Sequence, residues 1–368
     1  MTIVMKRLAL TLAASVSLIV SADAQFTSGT LAVLKLGGGT ETLGTAGNTI
    51  SILDYGLAGG GPLFSVTIPN AILVGSGISG SEGALSLSAN GNYLTAAGYK
   101  GVTLPYAGAL PNVSASIVNR GVAQIDQSGS VSSVAFTSSR LNGSAGTAGN
   151  PRTAVTDGSG NYWIGGSASA GTSAGIFSLT QPTTTTIFNT SGPRALNFFN
   201  GNLYFTTSAG IQAFSGAPTA AVTPTSLFTV TGNGSPQDFA INPVGNVAYI
   251  ADATPATGGI QKWTLSGSTW SLAYTLGAGK GIFGLAADFA NGKLYGTTAD
   301  VTFGNSLVEI DDLGLGSTST SDNILATAAS NEVFKGLDFT PGAVPEPSTF
   351  GLLSLGLLLF GKRLRRVR

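Results

Sequence analysis

The chain has 368 residues with 17 Lys and Arg, 17 Asp and Glu, no histidine and no cysteine. The last two absences exclude thiol catalysis, disulfides, cysteine metal sites and every nucleophile that needs a histidine base, so chemistry would rest on carboxylates, hydroxyls, Lys and Tyr. Charged residues are only 9% and 53 residues are glycine, but regular clusters of aliphatic and aromatic residues indicate a folded chain with a large core.

The N-terminal segment has the pattern of a secretory signal peptide. Lys6 and Arg7 precede thirteen mostly apolar residues, and Ala22 and Ala24 supply the two small residues that a signal peptidase reads. We predict that residues 1–24 are removed and that the mature chain begins at Gln25. The alternative, an uncleaved anchor, is disfavoured because thirteen apolar residues are few for a stable membrane span.

The body, residues 25–343, contains an internal repeat. Five segments share an alternating apolar strand, a short turn with Asn, Asp or Gly, and a second strand with aromatic or β-branched residues. The turn glycines that align them are Gly91, Gly160, Gly201, Gly245 and Gly292, spaced 69, 41, 44 and 47 residues apart. A third and a fourth alternating strand follow in each unit, as at 175–179, 210–214, 259–263 and 306–310 for the third. Four antiparallel strands in about 45 residues predict a blade of a β-propeller.

A sixth blade is predicted from the two ends of the body. Residues 31–36, 50–54 and 63–68 resemble strands two to four of a blade that lacks its first strand, and residues 336–341 match the start of the other repeats. Pairing 336–341 with 31–36 would close the ring and remove its exposed edges. The unit that is 69 residues long carries an insertion at about 100–120, for which a binding role and a plain surface excursion both stay open.

Several polar residues in the body are candidates for a site. Asp157 opens a segment similar to the start of a calcium loop, but the segment lacks the glycine and glutamate that such a loop needs later, so a hairpin turn is favoured. Asp252, Asp288 and Asp300 take similar places in successive units and could ring a central channel around a metal, although turns and capping hydrogen bonds are the favoured interpretation. Arg152 and Arg194 each follow a proline at the start of a repeat, which suggests one shared, structural position.

The C-terminal residues 344–368 form a tripartite segment. Pro345, Glu346 and Pro347 precede twelve mostly apolar residues, 350–361, and a basic cluster follows: Lys362, Arg363, Arg365, Arg366 and Arg368. The apolar part gives roughly 18 Å of helix, short for a hydrocarbon core of about 30 Å. Snorkelling of Lys362 and Arg363 would extend it, and the basic cluster predicts that the C-terminus stays in the cytoplasm while everything upstream lies outside.

This segment resembles the PEP-CTERM sorting signal of Gram-negative bacteria, with Pro345-Glu346-Pro347 as the recognition motif. The resemblance covers only these 25 residues. It implies an exported precursor that is anchored transiently in the inner membrane, processed by signal peptidase and an exosortase, and released to the cell surface or the extracellular matrix. The family's association with exopolysaccharide and biofilm makes carbohydrate a plausible neighbour.

Two classes of function follow for the body. The favoured one is a non-enzymatic binding or structural scaffold without a cofactor, with calcium as the only ion to consider. The alternative is a propeller hydrolase, lactonase or lyase that holds a metal with carboxylates. Three or more acids facing the central channel would favour the enzyme, and a channel lined by Gly, Ser and Thr would favour the scaffold. Nucleic acid is not an expected partner, since without its processed ends the body keeps about ten basic and fifteen acidic residues.

Overall fold

The computed structural model describes residues 25–230, 234–299, 304–314 and 322–342. Within these ranges the chain forms 24 strands and two short 3-10 turns, Leu110–Asn112 and Gly171–Ser173. No helix there is both long and apolar enough to span a membrane. The predicted signal peptide, with its cleavage position at Ala22, Ala24 and Gln25, and the predicted C-terminal transmembrane helix with its basic cluster concern residues at or beyond the ends of these ranges, and they stay predictions. The sorting motif also lies outside the described residues.

The strands form six four-stranded antiparallel sheets, which confirms the predicted six-bladed propeller. Blade 1 combines the last strand with the first three, and blades 2 to 6 take the other strands in order. Blade 1 contains β24 (Val333–Phe339), β1 (Leu31–Leu36), β2 (Ile50–Tyr55) and β3 (Phe64–Ile68). Blade 2 contains β4 (Leu85–Leu87), β5 (Tyr93–Tyr99), β6 (Arg120–Asp126) and β7 (Val131–Thr137). Blade 3 contains β8 (Pro151–Thr156), β9 (Tyr162–Gly166), β10 (Gly175–Thr180) and β11 (Thr183–Phe188). Blade 4 contains β12 (Leu196–Phe199), β13 (Asn202–Thr207), β14 (Gly210–Ala213) and β15 (Thr225–Thr229). Blade 5 contains β16 (Pro236–Ile241), β17 (Val247–Asp252), β18 (Gly259–Ser266) and β19 (Thr269–Leu276). Blade 6 contains β20 (Ile282–Asp288), β21 (Lys293–Thr298), β22 (Ser306–Asp311) and β23 (Asn323–Thr327).

The ring closes as the sequence predicts. Strand β24 pairs antiparallel with β1, and Leu31 lies opposite Phe339 while Val33 lies opposite Leu337. The closing strand starts at Val333, three residues earlier than the repeat alignment suggested. Because β24 is the innermost strand of blade 1, the last part of the body lines the central axis of the ring.

The hydrophobic core is divided among the boundaries between blades. Six clusters of buried side chains lie one at each boundary, for example Leu34, Leu85 and Ile125 between blades 1 and 2. A seventh, with Val74, Tyr99 and Leu110, lies beneath the insertion. The alternating strand pattern produces this arrangement, because each sheet is covered on both faces by its neighbours.

Two kinds of hydrogen bond join neighbouring blades near the axis, and they alternate around the ring. At three boundaries a threonine hydroxyl on the second strand donates to a carbonyl oxygen of the next innermost strand: Thr95 to Ala154, Thr206 to Gln237 and Thr297 to Lys335. At the other three a side-chain oxygen on an innermost strand accepts the N–H of a leucine in the next blade: Asp338 from Leu87, Thr153 from Leu196 and Asp238 from Leu285. Every boundary between blades therefore has one of these hydrogen bonds, and the two kinds take turns around the ring.

Candidate functional site

The two ends of the central axis differ in chemistry. All six innermost strands run in the same direction, so one face of the ring holds their first residues and the opposite face holds their last. We call the first the arginine face, because Arg152 is the second residue of β8 and Arg194 lies two residues before β12. We call the second the terminal face, because both ends of the described body meet there: Phe26 N–H donates to the Gln127 carbonyl at 3.0 Å and Gly342 N–H to the Gly91 carbonyl at 3.0 Å.

Arg152 and Arg194 are half-buried and use few of their donors. The only side-chain hydrogen bond of Arg152 to a described residue runs from Nη1 to the Gly192 carbonyl at 3.0 Å. Arg194 Nη1 donates to the Ser235 hydroxyl at 2.8 Å and to the Pro236 carbonyl at 3.0 Å. The Nε atom of each guanidinium is buried without a partner. A guanidinium carries five N–H donors, so both side chains keep unused hydrogen-bonding capacity.

Neither arginine has an ion-pair partner among the described residues. Burial, and to a lesser extent the positive charge of nearby Arg194, lower the pKa of the Arg152 guanidinium to about 10, against the weaker opposing effects of Glu82 and Tyr99. Burial also lowers the pKa of Arg194, which Asp252 partly offsets. Two like charges are thus held near each other in a partly desolvated position, an arrangement that favours an anion.

A cavity of about 510 Å³ opens beside Arg152. Its polar lining comes from hydroxyl and amide side chains of the neighbouring loops, namely Ser167, Asn189, Thr190 and Ser191. These groups both donate and accept hydrogen bonds, as the hydroxyl groups of a sugar do. The cavity therefore combines one cationic group with several groups suited to a polyhydroxylated ligand.

Further charged groups lie buried at the arginine face. The carboxylate of Glu82 accepts from the Tyr99 hydroxyl at 2.8 Å, from the Ser76 N–H at 3.2 Å and from the Asn150 amide, and burial raises its pKa. Lys335 donates to the Ser79 carbonyl at 2.9 Å, and burial lowers its pKa to about 8.

Arg120 is structural. It donates to carbonyl oxygens of Val113, Val118 and Leu141 and lies 4.8 Å from the centre of the Tyr99 ring, so it fixes the insertion at 100–120 to blade 2. Leu104 and Pro105 of the insertion and residues 41–47 line a cavity of about 600 Å³. The two segments are also joined directly, since the Tyr106 N–H donates to the Ala46 carbonyl at 3.0 Å and the Leu110 N–H to the Thr45 carbonyl at 2.9 Å. The insertion is therefore packed against the propeller, and a binding role and a plain surface excursion both stay open.

The terminal face has an apolar centre. A cavity of about 430 Å³ is lined mainly by the ends of the innermost strands, and its principal side chains are Leu87, Phe198, Phe199, Phe239, Leu285, Phe289 and Phe339. Asp338 also contributes to the lining, but its two oxygens accept the N–H groups of Leu87 and Phe339 at 2.7 and 2.8 Å. Neither outcome expected from the sequence applies to this cavity, because its lining contains one acid, Asp338, and is mainly apolar instead of Gly, Ser and Thr.

The proposed equivalence of Asp252 and Asp288 was wrong, whereas the place proposed for Asp300 is not tested. Asp252 ends the second strand of blade 5, whereas Asp288 ends the first strand of blade 6, so the two lie at opposite ends of the sheets. Asp252 accepts from Ser235 N–H, Thr254 N–H and the Gln261 amide, and Asp288 closes its own turn with Asn291. Asp300 lies outside the described residues. Among described residues no three acidic, histidine or cysteine side chains are grouped as metal ligands.

The favoured turn structure at Asp157 is confirmed. Its carboxylate accepts from Ser159 N–H at 2.8 Å and Asn161 N–H at 3.3 Å, and these hydrogen bonds help to lower its pKa against the effect of burial. Gly160 in this turn has φ of 99°, a left-handed value that a residue with a Cβ rarely adopts. The aligned glycines were therefore a correct signal for the hairpins.

Comparison with solved structures finds a chain, TolB, that agrees with the class of fold. TolB from Acinetobacter baumannii is 10% identical, with a TM-score of 0.50 over 85% of this chain and 67% of that chain. A periplasmic gluconolactonase from Pseudomonas aeruginosa is 13% identical, with a TM-score of 0.46 over 81% of this chain and 83% of that chain. At such identities the likeness concerns the fold alone. No curated protein matches the sequence.

The protein is thus an all-β protein whose body is a six-bladed propeller. Its residues 343–366 match the PEP-CTERM protein-sorting motif, and this stretch includes Pro345, Glu346 and Pro347. The chain carries a PEP-CTERM sorting signal behind a propeller body, which implies export and processing of a membrane-anchored precursor.

Proposed function

We propose that the mature protein is a non-enzymatic scaffold at the cell surface or in the extracellular matrix, and that its arginine face binds an anionic polysaccharide. The observation that carries this proposal is the pair of partly buried arginines, Arg152 and Arg194, without a carboxylate partner among the described residues. A planar guanidinium with free donors matches the carboxylate of a uronic acid residue, which it can bind through two parallel hydrogen bonds.

The surroundings of Arg152 support a sugar as the rest of the ligand. The cavity beside it presents Ser167, Asn189, Thr190 and Ser191, and the ligand would exchange hydrogen bonds to water for hydrogen bonds to these groups. The sorting signal adds a second line of support, since export through this route implies an environment that contains exopolysaccharide.

Binding of oligogalacturonate to the processed protein tests the proposal. Arg152→Ala should weaken binding about 10- to 100-fold, because a hydrogen bond to a charged group contributes about 1.5–3 kcal/mol. Methyl-esterified oligogalacturonate, which lacks the charge, should bind wild type and variant equally weakly. Titration calorimetry at two salt concentrations would measure both.

Lys293→Ala is the matched control, since it removes one positive charge that lies by the turn between β20 and β21 at the terminal end of blade 6 and is paired with Glu309. It should bind as wild type does. Equal affinity of wild type and Arg152→Ala for the charged oligosaccharide would overturn the assigned site.

The alternative class, a metal-dependent propeller hydrolase, lactonase or lyase, is distinguished by turnover. We expect no hydrolysis of a gluconolactone above the uncatalysed rate, with or without calcium, because the described acids are engaged singly at turns and blade boundaries. Turnover that depends on calcium and is lost in Asp252→Ala would place the enzymatic class first.

A further inference from the structure

We infer that in the membrane-anchored precursor the terminal face of the propeller lies against the membrane, so that the arginine face is directed away from it. The inference rests on the anchor that the sorting motif implies and is independent of the polysaccharide. The polysaccharide proposal gives the terminal face no role, and the present inference identifies a lipid surface as its neighbour.

Both ends of the described body leave the propeller from one place. The Gly342 N–H bonds to Gly91, in the turn between β4 and β5, and the Phe26 N–H bonds to Gln127, which follows β6. These positions lie at the terminal end of blade 2. Any tether that continues from either end therefore starts at the terminal face.

The tether on the C-terminal side is short. Seven residues, 343–349, separate Gly342 from the first apolar residue, Phe350, and even a fully extended chain over this interval spans roughly 28 Å. To bring the arginine face to the membrane, the tether would have to run around the outside of a blade. It would cross the blade from its innermost to its outermost strand, which is three inter-strand spacings, and then follow the height of a six-residue strand, about 34 Å in all. The tether is too short for that path, so the propeller cannot turn over while it is anchored.

Exposed apolar side chains agree with this orientation. Val244, Leu313 and Leu63 follow strands that end at the terminal side in blades 5, 6 and 1, and they are 78%, 67% and 59% exposed. At the other end the exposed aliphatic side chains Ile78 and Ile117 belong to the connections around β4 and β5 in blade 2 alone. Aliphatic tips on three neighbouring blades fit an interfacial layer next to the anchor.

The absence of cysteine allows a direct test with single labels. Ser159→Cys places a dye on an exposed turn of the terminal face, and Thr172→Cys places one on an exposed turn of the arginine face in the same blade. The full chain is reconstituted into vesicles of phosphatidylethanolamine and phosphatidylglycerol that contain an acceptor dye at the headgroups. Energy transfer from position 159 should exceed transfer from position 172, with a difference in distance to the membrane of roughly 20 Å, about the height of a strand.

A flexible insertion of about 20 Gly and Ser residues after Gly342 is the control, because a longer tether frees the propeller to rotate. In that variant the two labels should give nearly equal transfer. Equal or reversed transfer with the native tether would overturn the orientation. Failure of the full chain to float with the vesicles would overturn the anchor on which the orientation depends, and it would leave the oligosaccharide experiment unaffected.

Discussion

The two ends of the central axis are built by the same six strands, yet one is cationic and the other is apolar. The innermost strands begin next to Arg152, Arg194 and Lys335 and end in aromatic residues such as Phe199 and Phe339. Because equivalent positions of the repeats lie at the same end of the ring, the residue type at one repeat position sets the chemistry of a whole face. The propeller can therefore present a cationic end and an apolar end without any change of fold.

The difference also concerns how charge is tolerated. At the terminal face Asp238 and Asp338 are buried but each accepts two backbone N–H groups. At the arginine face Arg152 and Arg194 retain unused donors. Satisfied polar groups hold blades together, whereas unsatisfied donors at a surface cavity mark a place for a ligand.

The largest expected effect concerns the segment that leaves the terminal face. Glu346→Ala should abolish processing and leave a longer, membrane-retained form, because the motif loses its only charged group. Immunoblots of membrane and extracellular fractions would show this, and Ser348→Ala serves as a neighbouring control that should be processed normally. Normal processing of Glu346→Ala would contradict the sorting assignment.

The strand that joins both ends, β24, should be critical for stability. Leu337 is 1% exposed and belongs to the cluster between blades 6 and 1. Leu337→Ala should lower the free energy of unfolding by about 2–5 kcal/mol, through lost burial and the cavity left behind. Leu272→Ala, at a side chain 45% exposed on an outer strand, should cost less than about 0.5 kcal/mol in the same denaturant titration. Similar losses in the two variants would contradict the closure by β24.

The sequence predicted the ring well because its signals are local and repeated. Asn-Gly and Asp-Gly turns with positive φ, alternation of apolar residues, and the missing first strand of blade 1 all follow from the order of residues. The start of β24 was missed by three residues, since alignment to the other repeats does not show where pairing with β1 ends.

The site was predicted less well because it depends on which ends of strands meet. Asp252 and Asp288 have similar sequence surroundings but lie on opposite faces, and only the direction of their strands decides this. Arg152 and Arg194 were correctly assigned to one shared position by their preceding prolines. That neither has an ion-pair partner among the described residues could not be predicted, because it depends on loops of other blades. Glu82 and Lys335 had no sequence signal at all.

The two ends should respond to pH in opposite directions, and Lys335 reports on the arginine face. Its pKa of about 8 lies below the value of about 10.4 for an unfolded chain, so the folded state binds this proton more weakly. The contribution of Lys335 to stability is lowest at neutral pH and rises as pH increases through 8 toward 10, by about 3 kcal/mol. Lys335→Met should reduce this alkaline rise in thermal unfolding. An unchanged rise would show that the Lys335 ammonium is not destabilised by burial.

Asp338 reports on the terminal face with the opposite sign. Burial raises its pKa to about 6, above the unfolded value of about 3.9, so the folded state binds this proton more strongly. Stability from this group should rise as pH falls from 7.5 through 6 toward 4, by about 2–3 kcal/mol. Asp338→Asn should flatten that part of the profile of unfolding free energy against pH, whereas Asp126→Asn, at the half-buried end of β6, should leave it intact. A profile that is equally steep in Asp338→Asn would contradict the assignment.

The smallest expected effect is the response to calcium, which tests whether either end holds a metal. Carboxylate and carbonyl oxygens suit calcium, but the oxygens of Asp252 accept from backbone and side-chain donors, and those of Asp288 close a turn on the opposite face. We expect the midpoint of thermal unfolding to be the same with added calcium and with chelator. An ion that binds only the native state, at a hundred times its dissociation constant, would stabilise it by about 2.7 kcal/mol, a shift that is easily measured. A clear rise with calcium that Asp252→Ala or Asp288→Ala abolishes would show a metal site that the described geometry gives no reason to expect, and the difference between the two variants would tell at which end of the axis the ion binds.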